Sequence, residues 1–548
     1  MIELTAADVA AATGGTLHGD PELRIAGPVI TDSRKAEPGS LFVAWEGESA
    51  DGHAFVPSAV EAGAVAVLAA RELPDAGVPV IVTDDPQRAL GDLARHVLAR
   101  VRAANPGLRV VGITGSVGKT TTKDLLGALL GPEGPTIVPA GSLNNEVGLP
   151  LTVLRVTPDT RYLVLEMGAD GPGNIAYLTS IAPPDAGVVL AVGVAHVGKF
   201  GGVEQIARTK GEMAEGTRPG GVVVLNADDM RVAAMAGRVD RAAGTAVVTF
   251  GTIPSADVRA QDITLGKDGR ASFTLRVNRS VTSGTSDDAG SAAAVADERV
   301  GSAAVVADDG AGSAATVADD AGSVATVAGD GAGAPASSSD SANAATETPV
   351  TLALVGEHHV SNALAATTVA LRLGLAPATI AERLAGAGPA SPHRMAVTER
   401  PDGITVIDDA YNANPDSMRA GLKALAVMAG RERRSVAVLG EMRELGDDSR
   451  VAHHDVGLLA VRLNIKLLVV VGDGAYHIHE GATQEGSWGE ETVFVPDIEQ
   501  AAHFLDGELR PGDVVLVKSS LGSGLWRLGD HLAGTGEAIA TAGQEAVQ

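Results

Sequence analysis

A short stretch of the chain combines glycine, lysine and threonine in a spacing that suits phosphate binding. The apolar run VVGI precedes TGSVGKT, and the helix-like segment TTTKDLLGALL follows it. Loop N–H groups and the positive end of a following helix attract anions. Lys119 would add a charge near the terminal phosphates, and the Thr120 hydroxyl would be a ligand for Mg²⁺.

The match to the strict phosphate-loop motif is incomplete, because Ile113 stands where its first glycine would be, with glycines at 112 and 115. The alternative is an ordinary strand-to-helix turn. The apolar strand before the loop and the helix after it favour nucleotide binding. The predicted loop residues are Thr114, Gly115, Ser116, Val117, Gly118, Lys119 and Thr120.

Three further polar residues follow apolar runs in the same region. YLVLEM contains Glu166, AGVVLAV leads to His196, and GVVVLN ends at Asn226. Strands that alternate with helices predict a parallel, doubly wound sheet with ligands at the carboxyl ends of its strands. Glu166 and His196 then fall where a metal or phosphate site is expected. A capped loop carboxylate and a surface imidazole remain alternatives.

A polar cluster near the N-terminus is a weaker candidate for a binding site. Asp32, Ser33 and Arg34 lie just before Pro38 and Gly39. Arginine in such a loop can hold an anionic or hydroxyl-rich ligand through paired hydrogen bonds. From spacing alone, a turn with a surface salt bridge is the favoured interpretation.

Composition excludes several classes of function. The net charge of −26 disfavours a nucleic-acid partner. The absence of cysteine excludes disulfides and thiolate metal sites. The first residues, MIELTAADVAAATGG, lack the basic and apolar regions of a secretory signal, and no apolar run reaches transmembrane length. We therefore expect a cytoplasmic protein without membrane insertion.

The 548 residues predict an α/β protein of about three domains. We expect a small N-terminal α/β domain over 1–105, a central parallel-sheet ATPase domain with the phosphate loop over 106–390, a Rossmann-like domain over 391–533, and a flexible tail over 534–548. Small residues in approximate eleven-residue repeats mark 282–348 as a disordered, acidic insertion. Its flanks, ASFTLRV and PVTLALVG, are typical of strands, so the insertion is predicted to extend a hairpin loop.

Six motifs occur in order along the chain: TGSVGKTTTK (114–123), GSLNNEVGLPLT (141–152), EMGADGPGNI (166–175), AHVGKFGGVEQIARTKGEM (195–213), DDAYNANPDSM (408–418) and LGEMRELGDDS (439–449). Together they resemble the Mur ligases, the ATP-dependent enzymes that add amino acids to the cell-wall precursor, and within them the branch that adds a dipeptide. The DNPR motif of the branch that adds the third residue is absent. The N-terminal DSR…PGSLFVA…GESADGHAF is similar to a domain that both branches share.

The resemblance implies the last cytoplasmic step of peptidoglycan precursor synthesis. ATP phosphorylates the terminal carboxylate of UDP-N-acetylmuramoyl-tripeptide, and the amine of D-alanyl-D-alanine attacks the acyl phosphate. ATP and two Mg²⁺ ions are the expected cofactors, and a monomer is expected. The identity of the third residue of the tripeptide stays open.

The resemblance also implies roles for particular residues. Thr120 and Glu166 would hold one metal ion, and His196 with Lys210, carrying a carbamate, would hold a second. Lys119, His196 and Lys210 are thus the candidate catalytic residues, with His196 or a metal-bound water assisting deprotonation of the amine. A helix-surface lysine is the alternative for Lys210.

Further residues are assigned to the two large ligands by the same resemblance. Related chains commonly carry His-Asn where this chain has His358-His359, and Lys-Gly-Ser where it has Lys518-Ser519-Ser520. The first departure leaves the usual adenine contact open. The adenosine would meet Asn362, Arg394 and Asp409, and the UDP-linked peptide would meet Ser33, Arg34, Asn144 and Asn145.

Two other functions remain alternatives from the sequence. One is another ligase of the superfamily, tripeptide-forming or of the folylpolyglutamate type, against which the absent DNPR and the NNEVGLP stretch argue. The other is a non-catalytic ATP-binding regulator. A protein that only senses nucleotide has no need to keep Lys119, Glu166 and Lys210 together.

Overall fold

A computed structural model describes residues 1–47, 50–193, 202–282, 345–485, 492–536 and 539. The chain forms a five-stranded, a nine-stranded and a six-stranded sheet in order, with a small two-stranded sheet beside the first. The α/β class predicted from the sequence is confirmed.

The N-terminal part is built on a sheet of order β2-β7-β6-β5-β4, with β1 and β3 paired separately. Its long helix α3 begins after Asp85, whose carboxylate accepts a hydrogen bond from the Arg88 N–H. Pro86 lies in the first turn of this helix. The elements are β1 (Leu4–Thr5), α1 (Ala6–Thr13), β2 (Thr16–His18), β3 (Arg24–Ile25), β4 (Val29–Ile30), β5 (Ser40–Ala44), α2 (Val56–Glu61), β6 (Ala64–Ala69), β7 (Val80–Val82) and α3 (Pro86–Ala104).

The apolar face of α3 joins the N-terminal part to the central part. Leu93, Val97 and Val101 of α3 are at most 2% exposed and belong to one continuous core with Leu149 and Leu178, which lie in two helices of the central part. A core shared in this way fixes the N-terminal sheet against the central one.

The central sheet has the order β16-β15-β14-β13-β12-β11-β8-β10-β9. Strands β8 to β14 run parallel to one another. Strand β15 pairs antiparallel with both β14 and β16. The elements are β8 (Arg109–Thr114), α4 (Lys119–Leu130), β9 (Thr136–Ile137), α5 (Gly148–Val153), β10 (Tyr162–Glu166), α6 (Asn174–Ile181), β11 (Ala186–Val189), α7 (Val203–Gly216), β12 (Val222–Asn226), α8 (Met230–Ala234), β13 (Ala246–Gly251), β14 (Val258–Leu265), β15 (Arg270–Val277), α9 (Arg279–Thr282), β16 (Thr346–Val355), α10 (His359–Arg372) and α11 (Pro377–Gly386).

Strand β8 is the point where the strand order of the sheet reverses. Strands β9 and β10 lie on one side of β8, and β11, β12 and β13 lie on the other. Such a point leaves a crevice at the carboxyl ends of the strands, where ligands bind in open α/β sheets. The predicted phosphate loop follows β8 directly.

The strands that flank the predicted insertion pair as a hairpin. Val277 of β15 lies opposite Thr346 of β16 in antiparallel register, as the strand-like flanks predicted. Residues 346–348, which we included in the insertion, belong to β16, because their alternation of threonine and glutamate continues the pairing. Residues 283–344 lie outside the described part of the chain.

The C-terminal sheet has the order β17-β18-β22-β19-β20-β21, parallel except for β17. Its five parallel strands are those predicted, whereas the short edge strand β17, with the pattern AVTE, was missed. The elements are β17 (Ala396–Glu399), β18 (Thr405–Asp409), α12 (Pro415–Ala429), β19 (Ser435–Leu439), α13 (Ser449–Arg462), β20 (Leu467–Val471), α14 (Tyr476–Glu485), β21 (Thr492–Val495), α15 (Ile498–Glu508), β22 (Val514–Lys518) and α16 (Trp526–Ala533).

Aliphatic residues fill both faces of the two large sheets. In β22, for example, Leu516 belongs to one core and Val515 and Val517 to the core on the opposite face. Strands buried on both faces have nearly continuous apolar sequences, as parallel sheets require. Within the described ranges, every helix is too short or too polar to cross a bilayer.

Candidate active site

The loop after β8 has the backbone geometry of a phosphate cradle. Gly118 lies at the start of α4 with φ +84°, and no side chain caps the first turn of that helix. The free N–H groups of an uncapped first turn are available to an anion. A Cβ on Gly118 would lie 2.2 Å from Oδ1 of Asn362. Glycine is therefore required at 118 by both its backbone angle and this close approach.

Lys119 folds back over the loop. Its Nζ donates to the carbonyl of Gly115 at 2.8 Å. Burial lowers the pKa of Lys119, and the nearby Glu166 carboxylate acts in the opposite direction. The backbone of the loop is held at Ser116, whose N–H donates to the carbonyl of Ala191 at 2.9 Å.

A chain of oxygen atoms runs from the loop to the end of β10. The Thr120 hydroxyl lies 3.0 Å from the Ser142 hydroxyl, which donates to Oε2 of Glu166 at 3.3 Å. Glu166 is fully buried, and its Oε1 has no hydrogen-bond partner among the described residues. A buried carboxylate oxygen with no partner calls for a cation, and hard oxygen donors are those that Mg²⁺ prefers. The residues therefore fit the metal that the sequence predicted.

Lys210 of α7 is buried, and its amine is close enough to Lys119 and Asp170 for their charges to act on it. Its side chain belongs to a residue only 5% exposed. Burial, with a smaller contribution from the Lys119 charge, lowers the pKa of Lys210 to about 7, while Asp170 acts against the shift. An amine with so low a pKa is about half neutral near pH 7, and only a neutral amine can take up CO₂ as a carbamate. The predicted partner His196 lies outside the described residues.

Arg394 reaches the loop from the C-terminal side. Its Nη2 donates to Thr120 Oγ1 at 3.1 Å, and its guanidinium lies 4.2 Å from the centre of the Tyr411 ring. Nε of Arg394 is buried and has no partner among the described residues. Asp409 nearby accepts from Lys518 Nζ. The guanidinium thus retains an unused donor next to the phosphate loop.

Asn362, which packs against Gly118 of the loop, and two histidines line the same pocket. Nδ2 of Asn362 donates to Nδ1 of His359 at 3.3 Å. Burial lowers the pKa of His358 to about 4 and that of His359 well below its ordinary value. Both imidazoles are therefore neutral at pH 7 and offer hydrogen-bonding atoms, not charges, to a ligand.

Most of these residues line one pocket of about 520 Å³ between the central and C-terminal sheets, whereas Glu166 and Lys210 are not among its lining residues. Thr114 and Gly115 lie beneath its surface, since Thr114 is fully buried at the end of β8. The pocket brings together, from the predicted residues, Ser116, Val117, Gly118, Lys119, Thr120, Asn144, Asn362, Arg394 and Asp409.

The other residues predicted for the UDP-linked substrate lie apart from this pocket. Oδ1 of Asn145 accepts from the N–H groups of Val147 and Gly148 at the start of α5, a capping role. Ser33 and Arg34 lie in a 3₁₀ turn of the N-terminal part, where the exposed Arg34 side chain pairs with Asp32.

Three residues of the site escaped the sequence analysis. Ser142 connects Thr120 to Glu166, Tyr411 stacks on Arg394, and Lys518 pairs with Asp409. Each lies within a motif quoted for the family resemblance or for a departure from it. Their roles depend on contacts between distant segments, which spacing along the chain does not reveal.

The fold is a three-domain α/β architecture in which a loop with the geometry of a phosphate cradle faces a C-terminal parallel sheet. Three family models match the chain: the Mur ligase family catalytic domain over 28–97, the Mur ligase middle domain over 113–285, and the Mur ligase glutamate ligase domain over 393–521.

Similar proteins match over nearly the full length. The UDP-N-acetylmuramoyl-tripeptide–D-alanyl-D-alanine ligase of Mycobacterium leprae is 42% identical, over 98% of this chain and 99% of its own. A crystal structure of MurF from Acinetobacter baumannii has a TM-score of 0.75 at 29% identity, covering 97% and 99% of the two chains. MurF ligase from Thermotoga maritima, solved with ADP, has a TM-score of 0.68 at 26% identity, covering 93% and 97%. The chain belongs to the Mur ligase family.

Proposed function

We propose that this ligase uses ATP to add D-alanyl-D-alanine to UDP-N-acetylmuramoyl-tripeptide, the last cytoplasmic step in making the peptidoglycan precursor. The observation that carries the proposal is the single pocket in which Lys119 and Thr120 of the loop meet Arg394 from the C-terminal side. End-to-end similarity to a dipeptide-adding relative supports the choice of amine substrate.

The reaction has two chemical steps. The terminal carboxylate of the tripeptide attacks the γ-phosphorus of ATP, giving an acyl phosphate and ADP. The amine of the dipeptide then attacks the acyl carbon, a proton leaves the nitrogen, and phosphate departs as the amide forms. Transfer of a phosphoryl group to a carboxylate demands positioning and neutralisation of negative charge above all.

The loop and Arg394 meet that demand from two sides. The N–H groups at the start of α4 and the Lys119 ammonium surround the phosphates. Arg394 approaches from across the pocket and donates to Thr120, so its guanidinium charge lies beside the loop. The electrostatic field of these groups is strengthened where the pocket excludes water.

Metal binding fits the oxygen donors of the site. Thr120 and Glu166 would hold one Mg²⁺, and Lys210, as a carbamate, would hold a second with His196. Bound Mg²⁺ would offset the negative charge shared between the phosphates and the attacking carboxylate. Ser142 orients both Thr120 and Glu166 through its hydroxyl. The candidates for accepting the proton of the amine are a metal-bound water and His196, the latter only while its imidazole is not bound to the metal.

The N-terminal part is proposed to hold the UDP-linked end of the substrate through Ser33 and Arg34, with Asn144 and Asn145 nearer the reacting carboxylate. We retain the domain boundaries 1–105, 106–390 and 391–533 as part of this proposal, together with a monomeric state and a cytoplasmic location.

Phosphate release from ATP with Mg²⁺ and UDP-N-acetylmuramoyl-tripeptide tests the function. We expect release that depends on D-alanyl-D-alanine and does not occur with single amino acids. Release with another amine would move the protein to a different branch of the family. No release with any amine would contradict a catalytic role and favour nucleotide sensing.

A further inference from the structure

The segment that carries Arg394 has an unusual backbone. Among the described residues, five that are not glycine have a positive φ, and two of them, His393 at +55° and Met395 at +51°, flank Arg394. Side chains disfavour this region because Cβ crowds the neighbouring carbonyl. Such conformations persist where the surrounding structure holds them.

Two adjacent carboxylates at the end of β18 hold this turn. Nδ1 of His393 lies 2.6 Å from Oδ2 of Asp408, and the N–H of Met395 donates to Oδ1 of Asp409 at 3.1 Å. Successive side chains of a strand point to opposite faces. The turn is therefore anchored on both sides of Arg394.

The His393–Asp408 pair is well enclosed. The two side chains are 13% and 9% exposed. A Cβ on Gly529 of α16 would lie 2.8 Å from the Asp408 carboxylate, and the Trp526 ring lies 5.7 Å from the imidazole. The geometry of a hydrogen bond is fixed more firmly in a closely packed pair than in an exposed one.

On the other side of the turn, the chain is tied to the central part. The Ser391 N–H donates to Asp124 of α4 at 3.1 Å, and the buried Lys123 donates to the Ser391 hydroxyl at 3.3 Å. The chain is thus bonded to the central part at Ser391 and to the C-terminal part at His393, only two residues later. The position of Arg394 is consequently set by the end of β18.

We propose that His393 and Asp408 are positioning residues for the nucleotide site: their hydrogen-bonded pair holds the left-handed turn that presents Arg394 to the phosphate loop. The claim rests on the proposed function only in taking a nucleotide as the ligand of Arg394. It does not depend on which amine is added.

The test compares His393→Ala with His393→Gly, measuring ADP affinity by titration calorimetry without other substrates. Alanine loses the pair and resists a positive φ, so we expect affinity to fall about tenfold, the scale of one charge-assisted hydrogen bond. Glycine adopts a positive φ readily, so affinity should return to within about threefold of the parent. Asp408→Asn should fall between the two.

A double-mutant comparison separates positioning from general stability. In an Arg394→Ala background, His393→Ala should weaken ADP binding no further, because the group that it positions is gone. Asn464→Ala is the matched control, since Asn464 is exposed and has φ +58° far along the chain from the turn. It should leave ADP affinity within about twofold of the parent.

Three results would overturn the proposal: unchanged affinity in His393→Ala, equal losses in the alanine and glycine variants, or a full additional loss in the Arg394→Ala background. If His393→Ala does not fold, Asp408→Asn and His393→Gly still decide the question. Normal ADP binding with no ligation of any amine would contradict the proposed function and leave this inference intact.

Discussion

At the scale of single residues, Lys119 carries the clearest prediction. Its ammonium lies over the loop, bonded to the Gly115 carbonyl. Lys119→Ala removes both a charge and a positioning contact, so we expect turnover to fall more than about a thousandfold, roughly 4 kcal/mol of transition-state stabilisation. Steady-state kinetics with saturating ATP provides the measurement.

Lys267→Ala is the control for Lys119→Ala, because Lys267 is an exposed lysine in a turn of the same part of the chain. It should retain activity within about twofold of the parent. Activity of Lys119→Ala within tenfold of the parent would refute the phosphate-binding role.

Lys210 is predicted to act as a carbamate, in effect as an anion. Lys210→Ala should lose activity and regain part of it with added short carboxylates such as formate or acetate, which can occupy the space of the missing group. Lys119→Ala is the matched control, since a missing cation cannot be replaced by an anion. The same partial rescue of both variants, or rescue of neither, would count against the carbamate.

At the scale of elements, the loop between β8 and α4 has a strict requirement at Gly118. Gly118→Ala places a Cβ 2.2 Å from Asn362 Oδ1 at a φ of +84°. We expect a loss of about 1–2 kcal/mol in stability from the backbone strain and at least a hundredfold loss in turnover from displacement of the loop. Thermal unfolding and kinetics on the same sample measure the two effects.

Gly77→Ala isolates the effect of backbone strain. Gly77 also has a positive φ, +73°, but a Cβ there meets nothing within 4 Å. Its stability should fall by a similar amount while turnover stays close to the parent. If Gly118→Ala retains turnover as well as Gly77→Ala does, the contact with Asn362 has no role in the site.

The same loop shows how far the sequence predicts the site. Apolar runs of four or five residues predicted β8, β10 and β12, because a buried parallel strand leaves a continuous pattern. The short strand β17, paired only along β18, leaves no such pattern. Ser142 and Tyr411 went unnoticed because their partners, Thr120 and Arg394, are distant in the chain.

At the scale of the whole molecule, buried histidines predict a dependence of stability on pH. Burial lowers the pKa of three histidines. The pKa of His453 is lowered, that of His358 falls to about 4, and that of His359 falls well below 6.5. Because the unfolded chain binds protons near pH 6.5 and the folded chain does not, this contribution is present above pH 6.5 and is lost as pH falls toward the folded pKa. Each histidine contributes up to ~1.4 kcal/mol per pH unit in that window.

Thermal midpoints between pH 7.5 and 5 test this dependence. His453→Gln should show a shallower fall, since glutamine can also accept from Met442 N–H but does not titrate. His503→Gln, at an exposed position, should follow the parent. Identical slopes for all three proteins would show that burial of His453 does not contribute.

The central claim is that ATP drives amide formation by phosphorylating the terminal carboxylate of the tripeptide. The most direct test labels both oxygens of that carboxylate with ¹⁸O and analyses the products by mass spectrometry. We predict one ¹⁸O in the released phosphate and one in the new amide, with both products dependent on D-alanyl-D-alanine. Phosphate without label, or an amide that forms without ATP, would contradict the account.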